Sequence, residues 1–238
     1  APTSYATLTA PAPWREGAYD VAVDLRVDTT FKQRANYYGT TAATVEALHE
    51  AGSGQQSAIS GQLTTHCVAV FFPSYAYAEN VMRALENSGS VLRVSLQPRL
   101  PDLAAQAAWV EENLAFADAL FLVLGSSFAE GIDLLGGRVT HAMVVGPALP
   151  EVNAVQKARL DAFAALGRDA AFRRVYQIPG LQKVNQALGR LVRAPGQRAK
   201  VLLHCRRFAE SSYSSLLAPE YQFYREVTSE ADLREWLG

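Results

Sequence analysis

Two guanidinium groups three residues apart, Arg190 and Arg193, are the side chains of this sequence most suited to chemistry. They occur in Gln186-Ala187-Leu188-Gly189-Arg190-Leu191-Val192-Arg193. On a helix turning about 100° per residue, Gln186, Gly189, Arg190 and Arg193 fall on one face, and Leu181, Val184, Leu188, Leu191 and Val192 on the opposite one. Such a helix buries its apolar side and presents two planar forks that can each grip a phosphate bidentately. Gly189 leaves room beside them for a partner. A solvated helix surface is the plainer alternative, but adjacent arginines repel and seldom serve packing.

A second polar cluster follows an apolar run ending at Leu124. It reads Gly125-Ser126-Ser127-Phe128-Ala129-Glu130-Gly131-Ile132-Asp133 and places two hydroxyls and two carboxylates between glycines that allow tight turns. It is either a polar strand-to-helix turn or a nucleotide edge, where a carboxylate accepts hydrogen bonds from a ribose. A third segment, Phe71-Phe72-Pro73-Ser74-Tyr75, is a strand running into a helix start. It can cap that helix alone, or its backbone amides, hydroxyl and ring can hold a phosphate or stack a base.

Charge is unevenly spread over the 238 residues. The net charge is −1, yet Arg173, Arg174, Lys183, Arg190, Arg193, Arg198, Lys200, Arg206 and Arg207 fall in a stretch from Ala170 to Ala209 that holds no acidic residue. A polyanion is one neighbour that suits such a stretch, and a solvated face is the other. The two cysteines, Cys67 and Cys205, lie in apolar runs and read as buried thiols, too few for an iron–sulfur cluster. The four histidines show no metal-ligand spacing, so no metal site is expected. No apolar run approaches the roughly 20 residues of a membrane helix, and Ala1 to Thr9 lack a signal peptide's basic start and apolar core. A cytoplasmic protein without membrane contact is the expectation.

These residues need a scaffold. Apolar, β-branched runs predict strands at Asp20–Arg26, His66–Phe72, Val91–Ser95, Asp118–Leu124, Val139–Val145 and Lys200–Cys205. Near-continuous runs such as Val68-Ala69-Val70-Phe71-Phe72 are typical of strands covered on both faces. Helices are predicted at Arg34–Ala51, Tyr75–Asn87, Asp102–Ala115, Ala154–Leu166 and Leu181–Val192, with Ser74 and Asp102 as caps. Gly52 to Ser57 reads as a loop, and a short helix closes the chain near Ser229–Leu237. Alternating strands and helices imply a wound α/β sheet whose ligands meet the loops at its carboxyl edge. All three candidate segments are expected there.

Taken in order, the segments resemble the second RecA-like domain of XPD/DinG-type superfamily 2 helicases. Phe71 to Tyr75 resembles that group's motif IV, Gly125 to Asp133 its motif V, and Gln186-x-x-Gly189-Arg190-x-x-Arg193 its motif VI. Gln156-Lys157-Ala158-Arg159-Leu160 resembles the stretch between the last two, and Arg207-Phe208 the turn that follows. The resemblance covers residues 20–215 and implies a mostly parallel sheet of the P-loop NTPase type with helices on both faces. Residues 1–19 are then a linker and 216–238 an extension.

By this resemblance Arg190, Arg193 and Gln186 act on ATP. Gly131 and Asp133, with Glu130 and Gly189, form the nucleotide edge. Ser74, Tyr75, Ser126 and Ser127 contact the backbone of single-stranded DNA. ATP and Mg²⁺ are expected to be held mainly by a first motor domain in cis, because this sequence has neither a Gly-x-x-x-x-Gly-Lys-Ser/Thr loop nor an Asp-Glu-x-His motif. The chain is accordingly expected to be a piece of a longer protein, inactive alone. Where the family carries an acidic residue and a lysine before Arg-Phe, His204, Cys205 and Arg206 stand here, so no role is carried over to that turn. A self-sufficient α/β enzyme and a scaffold without ATPase function are the rival readings.

Overall fold

The computed structural model describes residues 13–56, 66–100, 102–126 and 134–238. Its strands are β1 (Tyr19–Asp24), β2 (Val68–Phe72), β3 (Val94–Leu96), β4 (Ala119–Val123), β5 (His141–Val144), β6 (Ala199–Leu203) and β7 (Tyr224–Val227). They form one sheet in the order β3-β4-β2-β5-β6-β1-β7, and every pairing is parallel. The helices are α1 (Tyr38–Gln56), α2 (Tyr75–Ser88), α3 (Leu103–Phe116), α4 (Ala154–Ala162), α5 (Arg168–Phe172), α6 (Ile178–Leu188), α7 (Ser211–Ser214) and α8 (Glu230–Leu237).

Strand side chains alternate between two cores, which is why the apolar runs are continuous. Val23, Phe71, Leu120, Val144 and Leu203 face one layer, with Val110 and Leu114 of α3 and Leu181, Val184 and Leu188 of α6. Ala22, Val70, Phe121, Met143 and Leu202 face the other, with Val45 and Leu48 of α1, Val81 and Leu85 of α2, and Leu233 and Trp236 of α8. The parallel sheet with helices on both faces is the architecture the sequence predicts. The caps also agree. Ser74 Oγ accepts from Tyr77 N at 3.3 Å, and Asp102 Oδ1 from Ala105 N at 2.8 Å.

Several boundaries differ. Gly52 to Gln56 continue α1 rather than forming a loop, and the His66 ring fills the place that a Cβ on Gly52 would take. The helix expected to reach Val192 stops at Leu188, and the one expected to reach Leu166 stops at Ala162. β7 has no counterpart in the sequence reading. Of Tyr224-Arg225-Glu226-Val227 only Val227 is buried, as suits a strand at the sheet edge with little apolar signal.

Candidate functional site

Parallel strands put all their carboxyl ends on one edge, where Ser74-Tyr75, Gly125-Ser126 and Gln97-Pro98-Arg99 leave β2, β4 and β3. The Ser74 hydroxyl is committed to capping α2. Tyr75 Oη accepts from Gln97 Nε2 at 2.9 Å, and Gln97 Oε1 accepts from Val123 N at 2.8 Å. Ser126 Oγ donates to the Val123 carbonyl at 2.6 Å and lies 3.3 Å from the same Gln97 oxygen. One buried amide therefore joins the segments that resemble motifs IV and V. Gly125 has φ +80°, and a Cβ there would lie 2.7 Å from Lys183 Nζ, so the Lys183 chain from α6 crosses the glycine. Ser127, Glu130, Gly131 and Asp133 lie outside the described residues.

The arginines lie on the opposite edge. α6 runs against the strands, with Gly180 near its start packed on the Pro147 carbonyl just beyond β5. Its last carbonyl, Leu188 O, accepts from Tyr19 Oη at 3.0 Å, at the beginning of β1. Arg190 and Arg193 thus occupy a turn after the helix at the amino edge, not a helical face at the carboxyl edge as the sequence led us to expect.

Local bonds end the helix there. Arg190 N reaches Ala187 O at 3.2 Å and Leu191 N reaches Leu188 O at 3.1 Å, tighter than α-helical spacing. Arg15 Nη2 takes the carbonyls of Gly189 (3.1 Å) and Val192 (3.3 Å), and Gln197 Oε1 accepts from Arg193 N at 2.7 Å. Leu191 and Val192 are buried and pin the turn, while Arg193 is exposed and Arg190 half-buried. Gln186, one helical turn earlier, is exposed, and Gly189 caps the helix.

The stretch that follows residue 133 docks on this turn. Gly137 N donates to Leu191 O at 3.2 Å. A Cβ on Gly136 would stand 2.8 Å from Arg193 Cγ and 3.3 Å from Arg190 O. The structure therefore brings the exit of the Gly125–Asp133 segment to the arginines and its entrance to Tyr75, two groupings on opposite edges of the sheet.

Sequence reasoning missed Gln97, Lys183, Arg15 and Tyr19, because each acts through a tertiary contact with no local motif. It also left His204 without a role. His204 Nδ1 lies 2.8 Å from Asp24 Oδ2, and Nε2 lies 3.0 Å from Thr41 Oγ1, with all three residues buried. Arg26 adds a two-point grip on Asp24 at 2.9 and 2.8 Å. Burial alone raises the Asp24 pKa, but the hydrogen bonds from Arg26 and His204 outweigh it and hold the group well below the usual carboxylate range.

Among the described residues no group of three or more His, Cys, Asp and Glu side chains could hold a metal ion, and no helix is long and apolar enough to cross a membrane.

An all-parallel sheet with helices on both faces, polar loops along one edge and an arginine turn on the other defines a RecA-like α/β domain. The profile of the helicase C-terminal domain family matches residues 61–222, and the chain belongs to that family. Two solved structures of XPD helicase are each 18% identical with a TM-score of 0.68, and the match covers 89% of this chain. The Xpd4 structure of S. tokodaii is 17% identical, with a TM-score of 0.60 over 88% of this chain. The chain spans 35%, 40% and 38% of the length of these structures, and its fold is that of the matching part. A search of curated proteins finds no match.

Proposed function

We propose that this chain is the second motor domain of an ATP-dependent DNA helicase or translocase. In the intact protein it faces a first RecA-like domain in cis, which holds ATP and Mg²⁺ in the cleft between the two. The observation that carries this reading is the docking of Gly136 and Gly137 on the Arg190–Arg193 turn. It joins the chain just after Gly131 and Asp133, the expected nucleotide edge, to the expected arginine fingers.

The residues present fit a triphosphate. Two guanidiniums stand on one turn, whose backbone is fixed by Arg15, Tyr19 and Gln197. Gly136 leaves the space that the Arg193 side chain occupies. ATP supplies the transferable γ-phosphoryl group, and charge develops on its oxygens as it leaves. Arg190 and Arg193 would meet that charge, held in place in advance by the fixed turn. Gln186 would complete the nucleotide contact from the last turn of α6. The carboxyl edge, with Ser74, Tyr75 and Ser126, would take the backbone of single-stranded DNA, and Ser127 is proposed as a further contact. Because both edges are parts of one rigid sheet, a shift of the domain on the nucleotide side moves the DNA side with it.

The test is Arg190→Ala and Arg193→Ala in the intact protein. The expected outcome is a fall of roughly 10³–10⁵ in kcat for ATP hydrolysis, with binding of a fluorescent ATP analogue largely kept by the first domain. Hydrolysis near the wild-type rate in both variants contradicts the assignment.

A further inference from the structure

Arg99, just past the end of β3, belongs to none of the three motif-like segments. Its guanidinium carbon lies 4.6 Å from the centroid of the Tyr75 ring, and the side chain is exposed. Among the described residues its charge rests on a ring rather than against a carboxylate. A guanidinium lying on an aromatic face keeps its N–H donors directed outward, free to grip a phosphate. The ring beneath it is itself held. Tyr75 Oη is tied to Gln97 Nε2, and Gln97 is 2% exposed. Gln97 Oε1 is tied to the Val123 amide and lies beside the Ser126 hydroxyl, while Gln97 N donates to Phe121 O at 2.9 Å.

Burying an amide is costly unless all its bonds are made, and an apolar residue would pack this spot more simply. What the amide does that an apolar residue cannot is lock three adjacent strand ends (β2, β4 and β3) into one surface. That surface carries Arg99 at its rim. Tyr75, with one face under Arg99 and its hydroxyl engaged by Gln97, is then a platform for this charge in addition to its own place on the edge.

We infer that Arg99 is a phosphate contact for single-stranded nucleic acid, presented on the Tyr75 ring and positioned by the buried Gln97 amide. This rests on the reading of the carboxyl edge as the nucleic-acid side. Each phosphate contact on a single strand contributes a slope of about −0.7 to log K against log salt, and this separates a charge contact from loss of fold.

The experiment measures binding of fluorescein-labelled oligo-dT to the intact protein by anisotropy across a salt series. Arg99→Ala should weaken binding roughly tenfold and make the slope shallower by about 0.7. Gln97→Leu should make the slope shallower by the same amount, and adding it to Arg99→Ala should produce no further loss. Tyr75→Leu, which removes the platform and leaves the Gln97–Val123 bond, should make the slope shallower by the same amount if Gln97→Leu fails to fold, because tyrosine carries no charge of its own to the slope. Wild-type affinity and slope in Arg99→Ala overturn the inference and leave the nucleic-acid role of the edge standing. A wild-type slope in folded Gln97→Leu overturns the positioning role. If the wild-type protein does not bind the oligonucleotide at low salt, the reading of the edge falls, and this inference with it.

Discussion

Asp24 sits at zero exposure between the Arg26 guanidinium and the His204 ring, and its neighbours depend on it in turn. Without its carboxylate, the half-buried Arg26 and the buried His204 would be left with unmatched donors. Breaking one side of a buried pair costs about 3–5 kcal/mol, so Asp24→Ala should lower unfolding stability by that order in urea titration. His204→Ala should cost less, because Arg26 keeps its two-point grip on the carboxylate. Equal losses in the two variants would show that the histidine, not the arginine, anchors the acid. At this scale the sequence displayed the arginine pair, the capping Ser74 and the hydroxyls of the polar loop, because those signals are local in spacing. It did not display Gln97, Asp24 or Arg15, whose partners Tyr75, His204 and Gly189 lie 22, 180 and 174 residues away along the chain.

α1 and α6 show how a neighbouring element overrides local preference. In an exposed helix, replacing glycine by alanine stabilises by up to ~1 kcal/mol. Gly52 lies in α1 with the His66 ring occupying the place a Cβ would take. Gly52→Ala should therefore destabilise by about 1–3 kcal/mol, and in a His66→Ala background the same change should become neutral or stabilising. A thermal-melt double-mutant cycle checks this, and a stabilising effect in the His66-containing protein would show that the ring yields freely. The same kind of contact hid the end of α6. Periodicity continues through Leu191 and Val192, both buried, so the pattern read as helix although Arg15 and Gln197 draw the backbone into a turn. The strands were legible almost to the residue where they lie between two cores. β7 was not, since an edge strand with one buried side chain carries no such pattern.

Across the whole molecule the proposed function divides the work between the two sheet edges, and the amino edge also carries a pH limit. His66 and His141 pack edge to face, 5.0 Å between ring centres, near the starts of β2 and β5. Burial, then the neighbouring His49, lowers His66 to about 4. Burial, then His66 and Lys200, lowers His141 to about 4, against a smaller upward pull from Asp20. The unfolded chain takes up these protons near pH 6.5 and the folded chain only near 4, so both groups favour the folded state above pH 6.5 and this is lost as pH falls from 6.5 toward 4. The melting temperature should drop steadily from pH 7 to pH 5, and His141→Phe should flatten that drop. A melting temperature independent of pH over this range would mean the rings are hydrated when folded.

On the proposed reading this domain completes a motor whose other half holds the nucleotide. The direct measurement is steady-state ATP hydrolysis by the intact protein, with and without single-stranded DNA, beside this chain alone. DNA-stimulated turnover by the intact protein and none by the chain alone is the expected outcome. Turnover by the chain alone, or an intact protein silent with and without DNA, would contradict it.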